Sequence, residues 1–421
     1  MTGIDADQRA QLVAAAALTE SHESRWRMLA LLAVAELLGM SLWFAGNAVA
    51  PMLRAQWQLS GSQVAWLTTS VQLGFVVGTA VSAILNLADI VPAARLFCVS
   101  ALLGAAANAA LLGASSYEAA LATRFATGVF LAGVYPPAMK MAATWFRAQR
   151  GLAVGTVVGA LTVGKATPYL VHAVPGAGVA SVLFAASGGA ALAGLAVLLL
   201  YREGPFAFPR RAFSWSLVHT VSLERRWRLA MGGYLGHMGE LYSFWTWIPS
   251  FVAASIAAHT GAAVVAGSHG DAVASVLAFA IIAVGGVGCV WGGIVADRIG
   301  RERLVMAAMM VSGTCALLVG LTFGRSLWLL APVALVWGFF VIADSAQFSV
   351  LVTEGVPPHA VGTALTVQTS LGFLLTTITI QIVPPLVARV GWAWAFPILA
   401  LGPAFGVWSI RRLLALEAEL G

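Results

Sequence analysis

The sequence predicts an all-α polytopic membrane protein with twelve transmembrane helices arranged in two similar halves. Three observations predict this class. Of the 421 residues, 60% are hydrophobic and only 10% are charged, whereas soluble domains carry about 25% charged residues. The apolar residues fall in separate runs of about twenty, the length an α-helix needs to cross about 30 Å of hydrocarbon. Short sequences also recur at nearly one spacing in the two halves of the chain.

The same composition argues against other classes of protein. The alternating pattern of a membrane β-barrel is absent. The three cysteines, Cys98, Cys289 and Cys315, all lie in apolar runs, so we expect small buried side chains and neither a disulfide nor a metal site. The net charge of +6 comes from basic residues at helix ends, and this distribution does not favour nucleic acid as a partner. No nucleophile with a base, phosphate-binding loop or metal-ligand spacing occurs, so we expect neither an enzyme nor a bound cofactor.

The twelve predicted helices are bounded by charged residues, by glycine and proline clusters or by polar turns. They run over 26–50, 63–87, 91–113, 117–139, 150–173, 179–201, 227–253, 272–296, 303–323, 327–352, 360–387 and 393–411.

The longest hydrophilic interruption divides six predicted helices from six. We therefore expect an N-terminal tail (1–24), a first six-helix bundle (25–201), a linker (202–225), a second six-helix bundle (226–412) and a C-terminal tail (413–421). The first tail lacks the pattern of a cleaved signal peptide.

Basic residues indicate how the chain is oriented in the membrane. Seventeen of the 23 lysines and arginines fall in the tails and in the connections after even-numbered helices, and only Arg54, Arg325 and Arg389 lie in the opposite loops. Because cytoplasmic loops carry the excess of basic residues, both termini are predicted to be cytoplasmic. We expect a monomer that crosses the cell inner membrane several times.

Short repeats support a duplicated unit. The sequence RWRM at 25–28 recurs as RWRL at 226–229, an offset of 201. The sequence AVGT at 153–156 recurs at 360–363, an offset of 207. Each repeat occupies the same place in its half, which is typical of the parallel repeats of secondary transporters.

Residues 293–301, with the sequence GIVADRIGR, follow the eighth predicted helix. They resemble the G-x-x-x-D-R-x-G-R loop of the major facilitator superfamily. The resemblance covers both halves, from about Arg25 to Arg412. It implies the fold of that superfamily, two pseudo-symmetric six-helix bundles, and secondary active transport of a small molecule by alternating access between the bundles.

The resemblance also implies a conformational latch at this loop. Asp297 lies at a helix end within reach of Arg298 and Arg301, where charge-assisted hydrogen bonds could hold one conformation. Asp89 and Arg95 occupy the corresponding places in the first half, at an offset of 208 from Asp297 and Arg303. The other residues of the motif are replaced there, so the first-half copy departs from the family pattern.

The fourth predicted helix contains Arg124 and Gly128, followed by GVYPP at 133–137. This pattern resembles the organic-anion and nitrate-type branches of the superfamily. The paired prolines in this helix, and Pro384 with Pro385 in the eleventh, remove helical hydrogen bonds and predict bends.

Glu36 is a carboxylate about 15 Å into the first predicted helix, which is near the membrane midplane. Trp43 and Asn47 follow at i+7 and i+11 and so share its face. A charge at this depth persists where it faces a cavity or finds a partner. We predict that Glu36 couples transport to protons and that Trp43 and Asn47 bind substrate; a structural ion pair is the alternative for Glu36.

His237 and Glu240 are spaced i, i+3 on the seventh predicted helix, so their side chains could touch. An imidazole titrates near neutral pH, and the pair is therefore a candidate proton site, or alternatively a buried hydrogen-bonded pair. Tyr234 and Trp245 flank it and are candidate substrate contacts.

Only two lysines occur in the chain, Lys140 and Lys165, and both lie in predicted spans. By the helical rise per residue, Lys165 and Arg124 lie at matching depths on successive helices. They could form a dibasic clamp for a carboxylate, sulfonate or phosphate. Lys140 is expected to extend towards the cytoplasmic interface.

On the tenth predicted helix, Asp344 and Gln347 are spaced i, i+3. Asp344 has no basic residue of its own helix in reach and is a candidate proton carrier, and Gln347 is a candidate substrate contact.

These residues lead to a functional hypothesis with two rivals. The basic pair favours symport of a small organic anion with protons. Proton-driven efflux of an amphipathic or cationic compound, bound by acidic and aromatic residues, is the alternative within the transporter class. A transporter-derived membrane sensor without flux is the alternative outside it.

Overall fold

The computed structural model describes residues 6–146, 149–206 and 214–420, and these residues form helices and no strands. Eleven helical stretches in the described ranges are long and apolar enough to cross a membrane. The remaining predicted span, the fourth (117–139), is present as two shorter helices. The predicted all-helical membrane fold is therefore confirmed.

The helices of the two halves correspond one to one. The first six are α1 (Ala6–Ala48), α2 (Gly61–Ile84), α3 (Ala93–Ala109), α4a (Tyr117–Leu131) with α4b (Tyr135–Ala143), α5 (Arg150–His172) and α6 (Val179–Leu200). The last six are α7 (Arg225–Thr260), α8 (His269–Ile299), α9 (Arg301–Leu318), α10a (Leu327–Ala343) with α10b (Ser345–Glu354), α11 (Val361–Val390) and α12 (Leu401–Leu420). We call the face that carries the chain termini the terminal side and the opposite face the far side.

Serine caps start four even-numbered helices on the far side. The hydroxyl oxygens of Ser60, Ser116, Ser268 and Ser326 accept hydrogen bonds from backbone N–H groups in the first turns of α2, α4a, α8 and α10a. Each cap satisfies one of the backbone donors that a helix start leaves without a partner.

Two helices are broken at equivalent places in the two halves. The fourth is interrupted between Leu131 and Tyr135, where Pro136 and Pro137 occupy the first turn of α4b. The tenth is interrupted at Asp344. Both breaks lie inside the bundle, where irregular backbone can be tolerated because neighbouring helices bury it. By contrast, α11 runs through its two prolines without interruption.

Helix packing repeats between the halves. In the first half, α1 packs on α5 and α6, α2 on α4a, and α3 on α6. In the second half the same contacts occur with each helix number raised by six. The halves meet where α5 packs on α8 and where α2 packs on α11. Exchanging each helix for its equivalent in the other half turns one of these contacts into the other. This arrangement confirms the predicted pair of pseudo-symmetric six-helix bundles.

Small residues let α5 and α8 approach closely at the interface between the halves. A Cβ atom added at Gly159 would lie 2.6 Å from the carbonyl oxygen of Gly286, and one at Gly155 would lie 2.8 Å from that of Cys289. Close backbone contact of this kind is how membrane helices associate without a hydrophobic driving force.

Two elements differ from the sequence-based boundaries. Helix α1 begins at Ala6, well inside the predicted tail. The predicted linker contains a helix, Trp215–Leu223, whose preceding residue Ser214 donates its backbone N–H to the Thr363 hydroxyl at the start of α11 over 3.0 Å.

Gly164 provides a test of how tightly α5 packs on α1, because a Cβ atom there would lie 2.1 Å from the Leu37 carbonyl oxygen. We expect Gly164→Ala to lower stability by about 1–3 kcal/mol, the usual cost of overpacking. The midpoint of thermal unfolding in detergent would report it.

Gly188→Ala is the matched control, since a Cβ atom at Gly188 meets nothing within 4 Å. We expect it to leave the midpoint unchanged or slightly raised because alanine favours helix. Equal midpoints for both variants would contradict the close packing of α5 on α1.

Candidate substrate cavity

A cavity of about 70 Å³ lies between the two halves, where α1, α4b, α5, α7, α10b and α11 converge. Its polar or aromatic lining residues are Trp43, Tyr135, Lys165, Tyr234, Tyr242, Trp245, Ser345, Ser349, Gln368, Thr369 and Phe373. Lys165 is the one charged residue among its described lining residues. The cavity is large enough for about two water molecules.

Aromatic rings close the cavity towards the far side. Trp43 from α1, Phe75 from α2, Tyr242 from α7 and Phe373 from α11 form a buried cluster that we call the aromatic plug. The closest ring centroids, those of Phe75 and Phe373, lie 4.6 Å apart. Because each half contributes two rings, the plug joins the two halves.

Polar contacts between the halves continue beyond the plug on the far side. The imidazole Nε2 of His172, at the end of α5, lies 3.1 Å from the carboxylate of Asp271, near the start of α8. The amide of Gln381 on α11 donates to the Thr69 hydroxyl on α2 over 3.3 Å. Ser349, at the other end of the cavity, is exposed. The conformation is therefore closed towards the far side.

Lys165 places its ammonium group among the rings of the plug. Its Nζ donates to the Tyr242 hydroxyl and lies 4.3 Å from the ring centroid of Trp43 and 4.9 Å from that of Trp245. Aromatic faces attract a cation at these distances. The Lys165 side chain is almost fully buried. It forms no ion pair within 4.0 Å in the described structure, so the hydroxyl and the aromatic rings are its contacts there.

Glu36 is within electrostatic reach of this lysine, since Gly164 brings α5 against α1 at Leu37. The carboxylate is completely buried and interacts electrostatically with Lys165. Neither carboxylate oxygen has a hydrogen-bond partner among the described residues. A buried carboxylate without hydrogen bonds is costly when ionised, so Glu36 needs either the nearby positive charge or a proton.

Arg124 does not line the cavity, and the predicted dibasic clamp with Lys165 is not assembled there. Its guanidinium donates to the backbone carbonyls of Leu42 and Trp43 on α1 and, over 3.0 Å, to the Asn108 side chain on α3. The reason is the direction of the side chain: matching depth along two helices does not determine which neighbour each residue faces. Arg124 therefore joins α4a to α1 and α3.

His237 and Glu240 do not pair with each other, in contrast to the i, i+3 expectation. Nδ1 of His237 lies 2.9 Å from the carboxylate of Asp344, at the break in the tenth helix. Glu240 instead accepts hydrogen bonds from Ser312 on α9 at 2.9 Å and from the indole of Trp337 on α10a at 2.7 Å. Neighbouring helices supply nearer partners than the same helix does.

The remaining predicted substrate contacts divide into two groups. Trp43, Tyr234 and Trp245 line the cavity, whereas Asn47 and Gln347 do not. The indole N–H groups of Trp43 and Trp245 are buried and have no hydrogen-bond partner in the described residues. They are thus available to a bound molecule.

Gln368 is a cavity residue that sequence reasoning missed. It is buried, lines the cavity, and has no partner for either atom of its side-chain amide within the described ranges. The sequence signal was an amide in the middle of an apolar span. Burying an amide without a hydrogen-bond partner costs free energy, as burying a charge does, although the cost is smaller.

The predicted latch residues lie on the terminal side. Arg301 pairs with Glu354 at the end of α10b over 3.1 Å. The carboxylate of Asp297 faces the start of α5, where a Cβ atom added at Gly151 would lie 3.4 Å from it. Arg95 and Arg298 are exposed and form no ion pair with another described side chain. The side chain of Asp89 lies outside the described residues.

The described part of the chain contains no group of three or more metal-ligating side chains. The arrangement can bind a solute through a cation, hydrogen-bond donors and aromatic faces, and it can hold a proton on Glu36.

Comparisons with known proteins agree with this fold. A family model described as Major Facilitator Superfamily matches residues 31–380. Among solved structures, the nucleoside transporter NupG is 15% identical, with a TM-score of 0.69 over 92% of this chain and 99% of that chain. A bacterial homologue of the human lysosomal transporter Spinster, solved inward-facing and either unoccupied or occupied, is 15% identical, with a TM-score of 0.65 over 93% and 94%. At this identity the likeness shows the fold alone. No curated protein sequence matches the chain at a significant level.

Arg124→Lys tests whether Arg124 acts in folding. A lysine ammonium cannot reproduce the planar fork that reaches three acceptors. We expect a loss of about 1.5–3 kcal/mol, the contribution of one hydrogen bond to a charged group, and a lower thermal midpoint in detergent. Arg325→Lys, on an exposed loop, is the control and should leave the midpoint unchanged. A normal midpoint combined with weakened solute binding would return Arg124 to a substrate-binding role.

Proposed function

The chain belongs to the major facilitator superfamily, and we propose that this secondary transporter carries a small organic anion together with protons by alternating access. The observation that carries the anion proposal is the position of Lys165, the charged side chain that lines the cavity between the halves. Transport rather than catalysis is the activity we propose for this site.

The other polar groups of the cavity support an anion. The indole N–H groups of Trp43 and Trp245 are donors without partners in the described structure, and they lie on the same rings that surround Lys165. An ammonium with nearby hydrogen-bond donors favours a carboxylate, sulfonate or phosphate. The aromatic walls favour an anion that also carries an apolar or planar group.

Charge balance supports coupling to one proton. When Glu36 is ionised, it neutralises Lys165. When Glu36 is protonated, the charge of Lys165 is free to be neutralised by an anion. The empty site, with Glu36 ionised, and the loaded site, with Glu36 protonated and the anion bound, are both neutral, whereas an anion without the proton, or the proton without an anion, leaves a net charge in a medium of low dielectric constant. We infer that the loaded and empty forms change conformation readily and that the singly loaded forms do not.

Proton-driven efflux of an amphipathic cation is the second candidate. The aromatic faces around Lys165, with the carboxylate of Glu36 beside them, are also the groups that bind an organic cation. In the present conformation Lys165 itself occupies that position. A cationic solute would have to displace the lysine ammonium, which makes this candidate the weaker one.

We further propose that the protein is a monomer in the cell inner membrane with both termini in the cytoplasm. The support is the concentration of basic residues on the terminal side. In this orientation the present conformation is closed to the outside. The halves 25–201 and 226–412 would then rock about the long α5–α8 contact, with Asp297, Arg298 and Arg301, and Asp89 with Arg95, acting as the latch.

Replacing each lysine in turn tests the anion site. We expect Lys165→Met to raise the dissociation constant of a transported anion at least about tenfold, because a charge-assisted hydrogen bond contributes about 1.5–3 kcal/mol. Lys140→Met, which lies on α4b outside the cavity lining, should change it little. A panel of carboxylates, sulfonates and phosphates tested for uptake into proteoliposomes would identify the anion, and titration calorimetry would then measure binding. Equal effects of the two variants would reject Lys165 as the anion site.

Glu36→Gln tests the coupling. We expect it to abolish accumulation driven by a proton gradient while preserving substrate binding and counterflow exchange, since glutamine imitates the protonated carboxyl. Asp297→Asn is the comparison and should slow both modes, because it acts on the conformational change. Both assays can be run in the same vesicles. Normal gradient-driven uptake by Glu36→Gln would transfer the proton to His237 and Asp344 or to Glu240.

A further inference from the structure

A second, larger cavity opens on the outer surface of the protein. It has a volume of about 570 Å³ and runs between α2 and α11 in the far-side half of the membrane. Its walls are formed mainly by Trp66, Ile378, Ile382 and Leu386, with Gln381 on its inner side. The residue at its far-side end is Arg389, in the last turn of α11. We call this feature the lateral groove.

The apolar walls of the lateral groove face outwards. Ile378 is 58% exposed, Trp66 is 41% exposed and Ile382 is 39% exposed. The back of the groove is closed by contacts between the halves, where Gly61 approaches Pro384 and Gln381 bonds to Thr69. A wall of this kind in a membrane-spanning region is in contact with lipid chains, so an acyl chain fits the apolar part.

The length of the lateral groove matches one leaflet. Ile378 and Arg389 are eleven residues apart on one helix, which corresponds to about 16 Å, and one leaflet of hydrocarbon is about 15 Å thick. Trp394, just beyond the end of α11, is 65% exposed. Exposed tryptophans mark the level of the headgroups. Arg389 therefore lies where the headgroup of a lipid in the groove would be.

The charge at Arg389 selects the headgroup. Its guanidinium is exposed and lies within 4.0 Å of no described carboxylate. An uncompensated arginine attracts a phosphate, and no acidic partner within that distance is available to hold the amine of a zwitterionic lipid. We propose that the lateral groove is a binding site for a phospholipid with an anionic headgroup, with the phosphate on Arg389 and one acyl chain along Ile382 and Ile378.

Native mass spectrometry of the full-length protein tests this proposal. The protein is released from nanodiscs that contain equal amounts of phosphatidylglycerol and phosphatidylethanolamine, and retained lipids are counted. We expect the wild type to retain phosphatidylglycerol preferentially. Arg389→Gln should lower that preference about fivefold, the factor that corresponds to about 1 kcal/mol for one basic residue near anionic lipid.

Arg325→Gln is the matched control, because it removes the same charge from an exposed far-side loop away from the groove. It should leave the preference unchanged. Ile378→Trp, which fills an outward-facing part of the groove, should reduce retention of both lipids. Thermal unfolding in detergent verifies that each variant is folded.

Three outcomes would overturn the proposal: no preference in the wild type, an unchanged preference in Arg389→Gln, or an equal loss in Arg325→Gln. None of these measurements involves a transported solute, so the lipid-site proposal and the anion-transport proposal can be rejected independently of each other.

Discussion

An ionisable side chain inside a membrane must obtain its partners from neighbouring helices, since water and headgroups are out of reach. This constraint organises both halves of the protein. In the first half Arg124 joins the fourth helix to the first and third through backbone carbonyls and Asn108. In the second half Glu240 joins the seventh helix to the ninth and tenth through Ser312 and Trp337. The first, third and fourth helices are equivalent to the seventh, ninth and tenth, so different side chains link equivalent helices in the two halves. These hydrogen bonds fix how each linked helix is rotated about its axis.

Glu36 and Lys165 are the pair that this rule leaves incompletely satisfied. Lys165 has one hydroxyl and the faces of aromatic rings, and Glu36 has no hydrogen bond to a described residue. Structural charges in the same bundle are bonded several times over, so the contrast separates groups that hold helices together from groups that can change state. The pair lies on α1 and α5, and α5 also forms the longest contact with the other half. Its charge state is therefore positioned to influence how the halves meet.

The sequence predicted the fold because the relevant signals are local. Apolar runs set the spans, and a repeated spacing identifies two halves. The site was only partly predictable. Trp43, Tyr234, Lys165 and Trp245 could be selected by residue type and depth. Which side of a helix each residue faces depends on interhelical contacts. For that reason Arg124 was expected at the cavity, and His237 was expected to pair with Glu240 and not with Asp344.

The small size of the central cavity has a consequence for how binding energy is used. A volume of about 70 Å³ is smaller than an organic solute, so solute binding requires a conformer in which this cavity has expanded. The observed affinity is then the intrinsic affinity multiplied by the fraction of molecules in that conformer. Weak binding at equilibrium is compatible with close recognition once the site has expanded. The packing of the plug rings against one another thereby contributes to the apparent affinity of the solute.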